Sequence, residues 1–150
     1  VREIQGLSQL SALVGEELGV SDWHTVTQDQ VQAFADSTGD QQWIHVDPIA
    51  AAAGPFGRTV AHGYLTLSMI PFLTKQVYRV NGLRMVVNYG LNRVRFPNPV
   101  PVGSRVRDRL TLVSVTPAER GHQAVIRHQI ELDGPGRPAC VAETVSLLVE

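Results

Sequence analysis

The sequence predicts an α+β protein in which an antiparallel sheet wraps a buried helix. Three observations carry that reading: a segment at residues 63–77 that is apolar on nearly every side, four strand patterns between residues 83 and 149, and their order, with helical patterns first and a strand meander last. The 150 residues are 43% hydrophobic, which suits a single domain over residues 1–150 with one core.

In chain order, Thr27 and Gln30 have capping-box spacing, and Val31, Phe34 and Ala35 recur at helical intervals, so a short helix is expected over residues 28–37. Residues 41–61 carry Pro48, Pro55, Gly54 and Gly57 without a sustained period. An irregular segment lying over the surface is expected there, and segments of that length are usually functional. Next come Tyr64, Leu65, Leu67, Met69, Ile70, Phe72 and Leu73, a helix that belongs inside the structure, with Pro71 as a point where it can kink. Strands are expected over residues 83–96, 104–115, 123–132 and 139–149. The second alternates well, with Val106, Leu110 and Leu112 on one face and Arg105, Arg107, Arg109 and Thr111 on the other. Gly121 and the run Asp133-Gly134-Pro135-Gly136 supply turns.

Charge is nearly balanced, with 13 basic and 14 acidic residues and a formal net charge of −1, so no general nucleic-acid surface is expected. Cys140 is alone, which excludes an intrachain disulfide and a multi-cysteine metal site. No apolar run approaches the ~18 residues of a membrane span, and residues 1–10 lack the basic and then apolar pattern of a secretory leader. A soluble, cytoplasmic protein without membrane insertion is the expectation.

Two places hold groups suited to chemistry. Asp40 and His45 stand five residues apart in a turn after the first helix, and together they can take a proton from water and return one elsewhere, as addition to a conjugated double bond requires. By spacing alone, Asp40 capping a turn after Gly39 and His45 packing on a loop is the commoner arrangement. Ala61-His62-Gly63 leads into the buried helix, where the first N–H groups have no intrahelical partner and Gly63 permits close approach of a carbonyl oxygen; an ordinary loop-to-helix joint reads the same way. His62 beside it is read as bracing the loop, and His24 and His122 as exposed. His128 falls in phase with Ala124, Ile126 and Ile130 and is read as a satisfied core or interface residue. The histidines show no zinc-like spacing, and no metal is expected. Arg93 and Arg95 share a strand face, which suits either phosphate binding or plain solvation. Glu143, in phase with Val141, Val145 and Leu147, has no functional reading.

Ser37-Thr38-Gly39-Asp40 with His45, then Ala61-His62-Gly63, resembles the MaoC-like (R)-specific enoyl-CoA hydratases. The segments Asn88-Tyr89-Gly90-Leu91-Asn92-Arg93-Val94-Arg95-Phe96-Pro97 and Val100-Pro101-Val102-Gly103 are similar to that family too, in the same order, so the resemblance runs from about residue 15 onward. It implies a hot-dog fold, an antiparallel sheet around a long central helix with an overhanging loop segment carrying the active site, and a homodimer. It also implies hydration of trans-2-enoyl-CoA to (R)-3-hydroxyacyl-CoA, with CoA as part of the substrate and no separate cofactor. On the matching positions, Asp40 is the water-activating base, His45 its acid-base partner and Gly63 the oxyanion-hole donor, while Ser68, Arg93 and Arg95 are candidates for substrate binding. Gln42-Trp43 stands where the common motif has Asn-Pro, which bears on the bracing of the loop and on substrate preference. Dehydration of a 3-hydroxyacyl carrier protein, thioester hydrolysis and a non-catalytic acyl-binding subunit are the competing functions.

Overall fold

The four long strands form where side-chain alternation predicts them. In the computed structural model, which describes residues 1–150, they are β5 (Met85–Arg95), β6 (Arg105–Ala118), β7 (Gly121–Leu132) and β8 (Cys140–Val149). Before them come β1 (Arg2–Gln5), α1 (Gly6–Ser11), β2 (Glu17–Val20), β3 (His24–Thr25), α2 (Gln28–Thr38), α3 (Trp43–Val46), α4 (Pro48–Ala52), α5 (Gly63–Ser68), α6 (Ile70–Thr74) and β4 (Tyr78–Asn81). The main sheet runs β2-β6-β7-β8-β5, antiparallel throughout, with β3 added against β6. A separate parallel pair joins β1 to β4. On β6 the buried positions are Val106, Asp108, Leu110 and Leu112, the phase expected from the sequence, with one carboxylate in it.

The expected long central helix is two short ones. α5 has six residues and α6 five, separated at Met69, and Pro71 lies at the start of α6, where a missing N–H costs nothing. Eleven helical residues at 1.5 Å each span ~17 Å, whereas the fourteen residues of β6 extend ~45 Å. The helices therefore cover only part of the sheet, and the buried side chains fall into two clusters instead of one. One surrounds α5 and α6, with Val31, Leu65, Met69, Leu73, Val106 and Ile130. The other lies where α1, β1 and β4 complete the cover, with Ile4, Leu10, Val77, Leu110, Leu112 and Leu148.

α2 starts on the predicted cap, with the Gln30 N–H donating to Thr27 Oγ1 at 3.1 Å. The segment expected to be irregular contains α3 and α4 because Asp47 accepts from the N–H groups of Ile49 and Ala50, at 3.1 and 3.0 Å, and Pro48 is preorganised for a first helical turn. Nor does it merely lie over the surface, since His45, Ala51, Val60 and Ala61 are all buried.

Candidate active site

Gly39 ends α2 in the left-handed conformation, φ 82°, and its N–H closes on the Ala35 carbonyl. That turn carries Asp40 off the helix end with its side chain half exposed. His45, on α3, is buried, and Nδ1 donates to the Val60 carbonyl at 2.6 Å. A carbonyl only accepts, so the proton is on Nδ1, and Nε2 is the nitrogen left for chemistry.

His62 closes the group. Its ring stacks on that of His45 with centroids 3.8 Å apart, and Phe34 lies 4.9 Å away. Its Nε2–H donates to the backbone carbonyl of Asp40 at 3.0 Å, and the same nitrogen stands 4.0 Å from the Asp40 carboxylate. The ring is 2% exposed, and Nδ1 is buried without a hydrogen-bond partner. His62, expected to brace its own loop, is hydrogen-bonded instead to the loop that carries Asp40.

One atom of each of Asp40, His45 and His62 lies within 4.8 Å of the other two. With His45 Nδ1 and His62 Nε2 committed to carbonyls, the accessible donors are His45 Nε2 and the Asp40 carboxylate, short of the four ligands of a closed zinc site. The arrangement suits proton transfer. Gln28, which sequence reasoning missed, ties the parts together: its amide N–H donates to the His45 carbonyl at 2.8 Å and its oxygen accepts from Thr59 Oγ1 at 2.6 Å. Its only signal was its place as the first residue of the helix.

Gly63 follows His62 as the first residue of α5, where its N–H has no intrahelical acceptor. A helix of six residues adds little macrodipole, so what this terminus offers is one local N–H. A cavity of about 260 Å³ opens beside it, walled by Phe56, Thr66, Phe96, Asn98 and Ala139. The face Gly63 presents is pressed by the Phe96 ring, whose atoms would lie 3.0–3.2 Å from an added Cβ.

The remaining sequence candidates lie apart from this group. Ser68 is exposed, its hydroxyl donating back to the Tyr64 carbonyl at 2.6 Å within the helix. Arg93 and Arg95 are exposed on β5. Arg93 pairs in register with Glu143, which pairs in turn with Arg127 on β7, so the carboxylate that had no reading sits between two guanidinium-bearing strands. Arg95 donates to the Val94 carbonyl at 2.7 Å and precedes the Phe96 that touches Gly63. His24, expected to be exposed, is half-buried and bonded to Gln30 at 2.9 Å.

A wrapped antiparallel sheet with this acid, imidazole and helix start is the architecture of the MaoC-like dehydratases, and the chain belongs to that family, the MaoC-like domain matching residues 9–132. It is a hydro-lyase with a hot-dog fold. It is 53% identical over 146 residues to 3-hydroxyacyl-thioester dehydratase Z of Mycobacterium tuberculosis, spanning 97% of each chain. It is 40% identical over 146 residues to Nodulation protein N of Rhizobium leguminosarum bv. viciae, spanning 95% of this chain and 90% of that one. Among solved structures it resembles an (R)-hydratase from A. caviae involved in PHA biosynthesis, with TM-score 0.73, 27% identity and coverage of 90% of this chain and 96% of that one. R-hydratase PhaJ1 from Pseudomonas aeruginosa gives TM-score 0.75 at 22% identity, covering 91% of this chain and 82% of that one, and speaks for the fold. No helix is long and apolar enough to cross a membrane.

Proposed function

We propose that the chain adds water reversibly to trans-2-enoyl-CoA to give (R)-3-hydroxyacyl-CoA. The observation that carries this is the convergence of Asp40, His45 and His62 beside a helix start whose first N–H is unpaired within the helix. Asp40 takes one proton from water as its oxygen bonds to the β-carbon. Electrons of the double bond move to the thioester oxygen, which the Gly63 N–H receives. Nε2 of His45, unprotonated at the start, receives from Asp40 the proton taken from water and passes it to the α-carbon, which returns both groups to their starting state, so one water is consumed per turnover. Hydration moves no electrons to or from an external acceptor, so the chain needs no redox cofactor, and a metal has no step to perform. CoA enters as part of the substrate, and Arg95, beside the Phe96 that contacts Gly63, is the better placed of the two arginines to meet its phosphates.

The same groups run the reverse reaction, and a carrier-protein thioester is the second substrate to try, because the 53% identical relative is named for a thioester without a stated carrier. A homodimer through β5 is part of this reading. β5 is the last strand of the sheet, and Met85, Val86, Tyr89 and Leu91 on it are 51%, 57%, 69% and 47% exposed, an apolar edge that a second β5 would cover. A buried free thiol at Cys140 and CoA-linked substrates suit the reducing cytoplasm.

The test follows the loss of enoyl absorbance with crotonyl-CoA. Wild type should be active, and Asp40→Asn should lose about 10²–10⁴-fold while staying folded, because the half-exposed carboxylate holds little of the structure. His45→Ala should fall as far. Activity that survives Asp40→Asn sinks the mechanism, and silence on every enoyl-CoA moves the substrate to a carrier protein.

A further inference from the structure

The imidazole at the centre of the proposed chemistry sits on an element too short to hold it. α3 has four residues and no side-chain cap, and a single helical turn has little stability of its own. Its carbonyls are taken up one by one: Trp43 O accepts from the Asp47 N–H at 3.0 Å, Ile44 O from the Val60 N–H at 3.0 Å, and His45 O from the Gln28 side-chain amide at 2.8 Å. Of the three, the carbonyl of His45 is the one that depends on a side chain.

That side chain closes a circuit. Gln28 Oε1 accepts from Thr59 Oγ1 at 2.6 Å, Thr59 precedes Val60 in the chain, and the Val60 carbonyl accepts from Nδ1 of the His45 ring at 2.6 Å. The backbone of His45 and its ring are thus fixed to one another through Gln28. The partners also dictate the chemistry needed at residue 28. The His45 carbonyl can only accept, so the amide nitrogen faces it and the amide oxygen faces the Thr59 hydroxyl. One planar group must donate and accept at once, which an amide does and an ionised carboxylate does not. Thr59 and His45 are both buried, so water has little access to replace either bond. The support behind the bridge is firm, since Gln28 opens α2, whose start is capped by Thr27 and whose Val31 and Ala35 are buried.

We propose that Gln28 is a positioning residue: by bridging the His45 carbonyl and Thr59, it holds Nε2 of His45 where that nitrogen passes a proton to the α-carbon. What the imidazole does there rests on the hydration reading. The bridge itself belongs to the folded chain and is measurable without substrate.

Two variants of the full chain test this. Gln28→Met keeps the length of the side chain and removes both hydrogen-bonding groups. Gln28→Glu keeps the acceptor for Thr59 and has a donor for the His45 carbonyl only when protonated. In crotonyl-CoA hydration, Gln28→Met should lower kcat about tenfold, inside the ~10²-fold that about 1 Å of misplacement can cost, with KM within about twofold. Gln28→Glu should be about tenfold slower than wild type near about pH 8 and approach it as pH falls toward about 5, where a carboxyl facing a carbonyl takes up its proton. Without substrate, proton NMR should show the His45 Nδ1–H exchanging with solvent about fivefold faster in both variants near about pH 8, the effect of losing one neutral hydrogen bond. An unchanged kcat, a loss carried by KM, or a Gln28→Glu deficit that is the same at every pH overturns the proposal. A Gln28→Met chain that does not fold leaves the pH response of Gln28→Glu to decide. If wild type is silent on enoyl-CoA, the hydration reading fails and the exchange rates decide this one: faster exchange in the variants supports the bridge, and equal rates overturn it.

Discussion

Replacing Gly63 by alanine separates two reasons for a glycine at the start of α5. A Cβ there would stand 3.0, 3.1 and 3.2 Å from Cδ2, Cε2 and Cγ of Phe96, inside the usual carbon–carbon contact of about 3.5–4.0 Å. Phe96 is 43% exposed, so its ring can yield outward, and the cost should sit at the low end of overpacking, about 1 kcal/mol. That corresponds to about 2–4 °C in Tm. The N–H survives the substitution, yet whatever the ring does not absorb moves it by a few tenths of an ångström. Since about 1 Å of misplacement can cost about 10²-fold, kcat should fall roughly three- to tenfold with a smaller change in KM. Crotonyl-CoA hydration and thermal melts read both effects. Phe96→Ala removes all three crowding atoms, so the double variant should match Phe96→Ala alone in both assays. An unchanged kcat in Gly63→Ala refutes the assignment of the donor. A loss that persists in full when Phe96 is also removed refutes the steric reasoning.

Other outcomes follow from the same geometry. His62→Phe keeps the stack on His45 but deletes the donor to the Asp40 carbonyl, worth about 1 kcal/mol; kcat should fall about fivefold with little change in KM, and a loss as large as that of His45→Ala would make His62 a reacting group. For Glu131, burial raises the carboxyl pKa, but hydrogen bonds from Arg109 and Arg107 outweigh it and hold the group below its ordinary 4.5. A depressed folded pKa gives stability that is present above 4.5 and lost as pH falls below it, so denaturant midpoints should drop more steeply over that acid range in wild type than in Glu131→Gln. Burial first, then the Asp108 carboxylate, push the Cys140 thiol up to about 11. Iodoacetamide at neutral pH should therefore leave Cys140 unmodified by mass spectrometry until denaturant is added, and rapid labelling of the native protein would contradict its burial.

What was legible in the sequence was what a short window can hold. β6 reads correctly because each residue from Val106 to Leu112 reports its own face by alternation, and α2 because Thr27, Gln30 and the Val31 stripe lie within two turns. β1, β2, β3 and β4 span two to four residues each, and no periodicity accumulates over so few. Their pairings, β1 with β4 across more than seventy residues, arise from tertiary contacts alone. Asp40, His45 and Gly63 were singled out by their spacing and the family resemblance, but spacing could not show that His62 would stack on His45, because that contact needs α3 and the start of α5 folded against each other. Ser68 stands apart from the group for a local reason that spacing does not report: its hydroxyl is satisfied by the carbonyl one turn back, and its side of α5 faces solvent.

The buried line from Asp108 to Thr144 shows what register adds to periodicity. Asp108 falls in the apolar phase of β6, between Val106 and Leu110, and His128 in the apolar phase of β7, each an anomaly on its own strand. Register pairs Asp108 with Ile130 and His128 with Leu110, so acid and imidazole are diagonal neighbours on one face, about 7–8 Å apart at Cα and within reach of their side chains. His128 pairs with Ala142 and Thr144 with Ile126, which makes the imidazole and the hydroxyl the next diagonal pair. Three polar residues on the core side of three adjacent strands thus form one connected network. Removing the acid strands the imidazole: Asp108→Ala would leave His128 without its partner in the core, at about 3–5 kcal/mol for an ionic pair. Thr144, half-buried at the other end of the line, can be exchanged for valine at far less cost.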